Sequence, residues 1–463
     1  MFLVLNFVYL FILFLLVLLR RLENLQIFFF VSFMFFLPFM KNMDEIFEGI
    51  GGVHIVFDDT SRLFVLMNVL VFLGVSLKMR GKKKIRFPFV LTFITLNFLY
   101  ASADLFNIYV LLELLSLETM ILISSGGKVK QFWSSVKYMI FGSVGMNIYL
   151  LGVGMVYMQN GTFDLTKILR VSNVSLVLIF TGLLVRTGFF LYGMWLPSAH
   201  SSAESEISAI LSGVIVKGGI FSILRILSFE PFSSITPWIT KVSAISSFLA
   251  VIFAITSKSF KRMLANHTLS QLGFIMSNVE TAPMYAFAHA LFKSWLFILA
   301  DELPSERFDE MGKRLNLFPW IFLILGSFSI IGIPGTIGYA AKSSLFKNTY
   351  NFERFFLILA SIGTSVSFSK LISRRPKISG WGGIKENLHN LYFSILVIGG
   401  GVVLFEFRMK SFIQSFLLFI VGFLLHRMIG KNLKELRNPL ERIEVNLFVI
   451  STLILGMILW LIS

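Results

Sequence analysis

The sequence of 463 residues contains no cysteine. This absence excludes disulfide bonds, thiolate-bound iron–sulfur clusters and cysteine-based zinc sites within the chain. No metal-ligand cluster, phosphate-cradling glycine loop or catalytic nucleophile arrangement stands out either. We therefore predict no catalytic, cofactor-binding or metal-binding residues here, and any redox catalysis must belong to other proteins.

Charged residues are also scarce, at 14% of the chain against 56% hydrophobic residues. The mean hydropathy of +0.82 is too high for a soluble globular protein of this length. Apolar runs long enough to span a bilayer recur from end to end, beginning with 2–19 and 25–40, which are interpreted as retained spans rather than a signal peptide. The predicted fold class is all-α, a polytopic membrane helical bundle of about 14–16 helices.

The net charge of +16 does not indicate nucleic acid binding, because the basic residues lie in short segments between apolar spans. These segments are Arg20-Arg21, Lys78 to Arg86, Lys128 to Lys130, Lys258 to Arg262, Arg374 to Lys385 and Lys431 to Arg442. All fall on one side of a cell membrane if the N-terminus is outside, with the acidic segment from Asp44 to Asp59 on the other side. The acidic segment from Asp301 to Glu310 is an exception to this pattern.

Glycine, proline and ionisable residues occur together at membrane depth in two places, Trp195 to Glu206 and Gly332 to Lys342. Interrupted helices in corresponding places of two halves are typical of repeated transporter bundles with a site at the break. The sequence is therefore divided into N-terminal helices (1–85), a first repeat (86–228), a second repeat (238–372) and C-terminal helices (373–463).

Glu113 lies inside an apolar run whose only other acid is Glu118. Burial disfavours charge, so an ionised carboxylate in such a run needs a nearby cation, and Lys137 and Lys217 are the natural candidates. A carboxylate coupled to a buried lysine could relay protons. The alternative is a structural ion pair that fixes the packing of two helices.

Arg186 is a second intramembrane cation, but a guanidinium group keeps its proton at any working pH. It could bias Glu113 and Lys217 as a fixed positive charge if the three lie within electrostatic reach. The alternative is an arginine that extends to the lipid headgroups.

His289 and Lys293 are one helical turn apart and project from the same helix face, so they could extend a proton path or simply pack there. Lys342 follows the glycine-proline break, where freed carbonyl groups would stabilise a cation, although an interfacial position like that expected of Lys347 is the alternative. His267 follows a basic stretch and is interpreted as structural.

Six segments in this order resemble the antiporter-like membrane subunits shared by respiratory complex I, Mrp-type cation/proton antiporters and energy-converting membrane hydrogenases. They are Tyr109 to Leu117, Trp195 to His200, Ser208 to Arg225, Lys261 to Gly273, His289 to Phe297 and Gly332 to Lys342. The resemblance covers about 58–372 and implies two inverted five-helix repeats around a central polar axis. It also implies that Glu113, Lys217 and Lys342 correspond to the family's ion-path glutamate and lysines.

The sequence departs from this family in two respects. Arg186 stands where the family usually has a lysine, and the usual Pro-Asp-Ala-His is Pro197-Ser198-Ala199-His200, followed by an altered stretch up to Glu206. The first half-channel is therefore expected to be modified or silent. The departures favour an archaeal or bacterial relative, most like subunits of membrane-bound hydrogenases or ferredoxin-driven sulfur-reducing complexes.

The sequence thus predicts the membrane subunit of a redox-driven complex that translocates protons or supports sodium/proton exchange. The expected ion-path residues are Glu113, Lys137, Arg186, Lys217, His289, Lys293 and Lys342. The expected partners are lipid, other membrane subunits including further antiporter-like ones, and a redox arm that carries iron–sulfur clusters. A Mrp-type secondary antiporter subunit and a scaffold that no longer pumps are the alternatives.

Overall fold

The computed structural model describes residues 25–47, 52–79, 85–310 without 191 and 194, 314–373, 377–404 with short gaps, 408–429 and a few positions beyond 434. The predicted first span (2–19) and most of the last one (444–462) lie outside the described residues. Helices dominate the described part, which contains 17 α-helices.

The helices are α1 (Leu25–Phe36), α2 (Asp59–Lys78), α3 (Arg86–Leu99), α4 (Leu105–Ser124), α5 (Val129–Asn160), α6 (Asn173–Thr187), α7 (Leu196–Ser202), α8 (Ser205–Ile210), α9 (Val216–Leu227), α10 (Thr236–Thr256), α11 (Phe260–Met276), α12 (Ala282–Leu299), α13 (Leu317–Ile331), α14 (Ile337–Asn348), α15 (Asn351–Ile372), α16 (Leu388–Val403) and α17 (Met409–Ile429). Two small sheets accompany them. One is an antiparallel hairpin of β1 (Met43–Phe47) and β2 (Val53–Phe57), and the other pairs β3 (Arg314–Leu315) with β4 (Lys377–Ile378) in parallel. Neither sheet was predicted from the sequence.

Eight helical segments of the described chain are long and apolar enough to cross a membrane. They are Asp59–Lys78, Leu105–Ser124, Val129–Asn160, Ser205–Leu227, Glu230–Thr256, Ala282–Glu302, Asn351–Ile372 and Met409–Met428. Four further apolar helices, α3, α6, α13 and α16, are shorter. The predicted all-α, polytopic membrane fold is confirmed, whereas the inverted relation between two repeats stays a prediction.

The chain divides into two compact units. Of the described residues, unit 1 contains those up to Trp195 and Val214–Pro237, and unit 2 contains Leu196–Gly213 and those from Trp238 to position 436.

Both predicted helix interruptions are present. Helix α6 ends at Gly188, whose φ of 88° is readily adopted only by glycine, and α7, α8 and α9 follow as short pieces with π-helical backbone at Leu211–Ile215. Helix α13 ends at Gly332 (φ 91°), and α14 begins only at Ile337, after Pro334. Each break leaves carbonyl groups at a helix end without their intrahelical partners.

In unit 1, α5 and α6 approach each other at glycines. A Cβ atom on Gly182 would lie 2.5 Å from the carbonyl oxygen of Gly145, so the two backbones are in direct contact. Helix α9 packs on α6 in the same way, since a Cβ on Gly219 would overlap the hydroxyl of Thr187. Small residues thus set the spacing of the helices that carry the ionisable groups.

In unit 2, α12 packs against α8, α11, α13, α14 and α16. Helix α11 is buried along its whole length except at Arg262. Polar side chains on α11 therefore lie inside the unit, where they need partners or a function.

Candidate ion-translocation site

Glu113 and Arg186 interact electrostatically inside unit 1. The Oε1 atom of Glu113 is buried, and no hydrogen-bond partner for it exists among the described residues. The guanidinium of Arg186, only 3% exposed, donates to the backbone carbonyl of Leu112 at 3.4 Å, next to the glutamate in sequence. The carboxyl group and its cation are therefore close without being locked together by a hydrogen bond.

Aromatic residues hold Arg186 in place. Its Nη1 donates to the hydroxyl of Tyr138 at 2.5 Å, and the guanidinium carbon lies 5.1 Å from the centre of the same ring. Trp195 packs edge-on against Tyr138 and donates from its indole to the carbonyl of Val185. The arginine is thus fixed inside unit 1 rather than extended to its surface.

Lys217 is fully buried in the first turn of α9. The following glycine, Gly218, lies against Leu99 of α3 and Leu115 of α4. Because α9 also packs on α6, Lys217 belongs to a helix that contacts both helices of the Glu113–Arg186 pair.

Lys137 and Glu118 differ from these residues. Lys137 is half-buried on α5, and within the described part of the chain no ion pair joins it to Glu113. Glu118, which was not predicted as a site residue, is 2% exposed on α4 and accepts a hydrogen bond of 2.6 Å from Thr95. Its second carboxyl oxygen has no hydrogen-bond partner in the described ranges.

An ion pair anchors the far end of the Lys217 helix. Arg225 makes two hydrogen bonds with Asp58, at 2.7 and 3.2 Å, and a third with Ser61 at 2.7 Å. Burial raises the pKa of Asp58, but Arg225 and Ser61 together lower it by more, so the net pKa lies below its usual value. This pair connects the C-terminal end of α9 to the N-terminal end of α2.

In unit 2, Lys342 lies at the break between α13 and α14, as predicted. Its ammonium donates to the carbonyl of Ile331, the last residue of α13, at 3.0 Å and lies 5.2 Å from the ring centre of Phe274. The side chain is 5% exposed, and its stem packs on Gly332. The lysine therefore interacts with the negative end of an interrupted helix, which favours a cation.

Lys293 and His289 are both fully buried on α12. Lys293 donates to the carbonyl of Leu264 on α11 and lies 5.3 Å from the ring centre of Phe297. The ring of Phe297 also has an aromatic partner, because His200 stacks on it with ring centres 4.6 Å apart. His200 belongs to the Trp195–His200 motif but was not itself predicted as a path residue.

His267 is the functional candidate that the sequence analysis missed. It is fully buried on α11, and neither ring nitrogen has a hydrogen-bond partner among the described residues. Lys293 and Lys342 both act on it electrostatically. A titratable ring that interacts electrostatically with two buried lysines is a candidate for proton transfer between them, and only the folded chain brings these three helices together.

A histidine outside the spans joins three segments of unit 1. His54 of β2 lies 2.8 Å from Asp164 and 2.5 Å from Asp44, one carboxylate at each ring nitrogen, and Asp164 also pairs with Lys167 at 3.2 Å. Burial lowers the pKa of His54, but the two carboxylates raise it by more, so the net pKa lies above its usual value. Burial likewise raises the pKa of Asp164, yet its hydrogen bonds with His54 and Thr166 bring the net pKa below the usual value.

These shifts predict a pH dependence for the attachment of the β1–β2 hairpin. The stabilisation from charged His54 is complete below pH of about 6.5 and is lost as the pH rises through the raised pKa, whereas Asp164 stays ionised throughout. We expect the hydrogen-exchange protection factors of residues 43–47 and 53–57, corrected for intrinsic rates, to fall as the pH rises from about 6.5 through the raised pKa of His54. A H54Q variant should show no such fall, and an unchanged wild-type protection factor would contradict the assignment.

No group of three or more histidine, aspartate and glutamate side chains suited to holding a metal ion occurs in the part of the chain that the structure describes. The ionisable groups that the described site contains are Glu113, the buried lysines, Arg186 and the histidines. Ionisable groups buried at the breaks of interrupted membrane helices are typical of membrane proteins that carry ions.

The comparison with known families gives the same class. The model of the transmembrane region of NADH:quinone oxidoreductases and Mrp antiporters matches residues 102–367, more than half of the chain. The chain belongs to this family and is an antiporter-like membrane subunit.

Two relatives come from different kinds of complex. The chain is 26% identical over 304 residues to an Na(+)/H(+) antiporter subunit of Alkalihalophilus pseudofirmus, covering 60% of this chain and 61% of that protein. It is 28% identical over 351 residues to an NADH-quinone oxidoreductase subunit of Desulforudis audaxviator, covering 65% and 70% respectively. The chain thus matches less than two thirds of the length of the first relative.

Two solved structures share the fold along nearly the whole chain. A chain of the membrane-bound sulfane sulfur reductase, an archaeal respiratory membrane complex, superposes with a TM-score of 0.75 at 20% identity, over 93% of this chain and 99% of that one. A chain of the Mrp complex from a Dietzia species gives 0.70 at 17% identity, over 92% and 94%.

Proposed function

We propose that this chain is the ion-translocating membrane subunit of a redox-driven respiratory-type complex, in which it moves protons or supports sodium/proton exchange. The observation that carries the proposal is the set of buried ionisable groups in each unit. Burying such groups is costly, so they are retained where they have a partner or a function. Here Glu113 interacts electrostatically with Arg186, and His267 with Lys293 and Lys342. One carboxyl oxygen of Glu113 and both ring nitrogens of His267 have no hydrogen-bond partner among the described residues.

In unit 1, Glu113 is the group that gains and loses a proton. Arg186 is a fixed positive charge that sets how readily Glu113 holds that proton. Lys217 is the second titratable group of that unit. Movement of a proton or cation near Glu113 changes how strongly the carboxylate interacts with Arg186, so the charge state of one group biases the next. Lys137 is assigned to the edge of this path, from which it exchanges ions with the surroundings.

In unit 2, the proposed path runs through Lys293, His267 and Lys342, with His289 on the same helix as Lys293. A neutral imidazole accepts a proton at one nitrogen and releases one at the other, so His267 is suited to transfer between two lysines. The carbonyl of Ile331 stabilises Lys342 whenever it is charged.

The partners, location and repeats are also proposed, on the resemblance to the family and on the distribution of basic loops. The proposed partners are further antiporter-like subunits, a redox arm with iron–sulfur clusters, and lipid around the exposed apolar surfaces. The proposed location is the cell membrane with the N-terminus outside, and residues 86–228 and 238–372 are the proposed inverted repeats.

Purification of the intact complex in mild detergent tests this function. We expect iron–sulfur proteins to copurify with the full chain in a fixed ratio. Copurification with other antiporter subunits but no redox protein would contradict the redox-driven assignment and favour a Mrp-type secondary antiporter, an alternative supported by the similarity to an Na(+)/H(+) antiporter subunit. A scaffold that does not pump, suggested by Arg186 in place of lysine, is tested by the variants discussed below.

A further inference from the structure

Helices α15 and α17 of unit 2 pack closely at one point and separate away from it. A Cβ on Gly422 would overlap the Cβ of Ser365 and lie 3.0 Å from the carbonyl oxygen of Ile362, so the backbones touch there. Toward their N-terminal ends, the helices leave an open groove of about 460 Å³ between them.

The walls of this groove are mainly apolar, whereas one end of it is cationic. The walls consist of Ile358 of α15 and Ile413, Leu417 and Leu418 of α17, together with the polar Gln414. Arg354 and Lys410, in the first turns of the two helices, stand at the end of the groove. The cationic end and the apolar walls thus lie at different positions along the groove, with about 10 Å of helix between Lys410 and Leu417.

The two cations have no acidic partner within the described residues, and both are exposed. Glu353, the acid next to Arg354, is turned inward instead, where it is 8% exposed and accepts a hydrogen bond from Thr240 at 3.2 Å. Among the described residues, no acidic side chain therefore neutralises the positive charge at the end of the groove.

We propose that this groove binds one anionic phospholipid. The phosphate lies between Arg354 and Lys410, and an acyl chain runs along Ile358, Ile413 and Leu417. A membrane lipid has this arrangement of charge and hydrocarbon, and exposed cations at the membrane surface attract anionic lipids. Helix α17 is otherwise mostly exposed, so this lipid would also fill the space that the splayed helices leave open.

Photo-cross-linking of the intact purified complex tests the site. The complex is placed in phosphatidylcholine nanodiscs with a trace of either phosphatidylglycerol or phosphatidylcholine that carries a diazirine in the acyl chain. We expect phosphatidylglycerol to label the groove residues about fivefold to twentyfold more than the phosphatidylcholine probe, because two cations favour it. The double variant R354Q/K410Q should abolish this preference.

The double variant K241Q/K347Q is the matched control, because it removes two exposed lysines of unit 2 that do not line the groove, and it should keep the preference. Leu417→Trp should reduce labelling by both probes, since it fills the groove while both cations remain. Equal labelling by the two probes would overturn the proposal. A preference for the phosphatidylglycerol probe that persists in R354Q/K410Q would also overturn it. Cross-linking of the groove residues to a partner polypeptide in place of lipid would overturn it as well.

Discussion

Replacing Lys342 with alanine should reduce ion translocation by the intact complex by about tenfold or more. The ammonium occupies the break between α13 and α14 and is held by the carbonyl of Ile331. Alanine removes both the titratable group and the charge that this carbonyl stabilises. The measurement is the pH change inside proteoliposomes that contain the purified complex.

Two comparison variants distinguish a role of Lys342 in transport from a role in folding. Lys347→Ala removes an exposed lysine from the same helix and should leave translocation unchanged. Lys342→Arg keeps the charge and a hydrogen-bond donor but does not release its proton, so it should preserve assembly while translocation stays low. Full translocation in the arginine variant would show that Lys342 has only a structural role.

Glu113→Gln should have a similarly large effect, of about tenfold or more on translocation, with assembly preserved. Glutamine has nearly the same shape as glutamate, but it neither carries a proton nor offers Arg186 a counter-charge. The physical reason is the through-space electrostatic interaction of Glu113 with Arg186, which the substitution removes. Translocation is measured in the same proteoliposomes after gel filtration has shown intact complex.

Glu118→Gln is the matched control on the same helix. Glu118 is more deeply buried than Glu113, but it is hydrogen-bonded to Thr95, and no cation among the described residues is paired with it. We expect Glu118→Gln to lose much less translocation activity than Glu113→Gln. If E113Q translocates as well as wild type, the Glu113–Arg186 pair is a structural ion pair.

Much of the fold follows from local sequence signals. Apolar runs of span length predicted a polytopic helical protein, and Gly-Ile-Pro at 332–334 predicted the break that holds Lys342. The β1–β2 hairpin was missed because its strands are only five residues long and lie in a segment that was interpreted as an acidic loop. A short hairpin of this kind is fixed by contacts distant in sequence, such as that of His54 with Asp164, 110 residues away.

The sequence predicted most of the residues of the candidate site, but not which of them contact one another in the folded chain. Charged residues in apolar runs pointed to Glu113 and Lys217, and the glycine-proline break pointed to Lys342, without any knowledge of the fold. The hydrogen bond from Arg186 to Tyr138 joins residues 48 positions apart, so no local sequence pattern predicts it. His267 was interpreted as structural because helical periodicity does not reveal which lysines neighbouring helices bring to it.

The proposed function depends on buried titratable side chains that carry ions in both units. Its most direct test is the number of protons moved per turnover of the driving reaction in proteoliposomes, compared between the wild-type complex and the double variant K217A/K342A. We predict that the driving reaction continues in the variant while the number of protons per turnover falls by about tenfold or more. An unchanged number in the double variant would contradict this function and identify the chain as a scaffold.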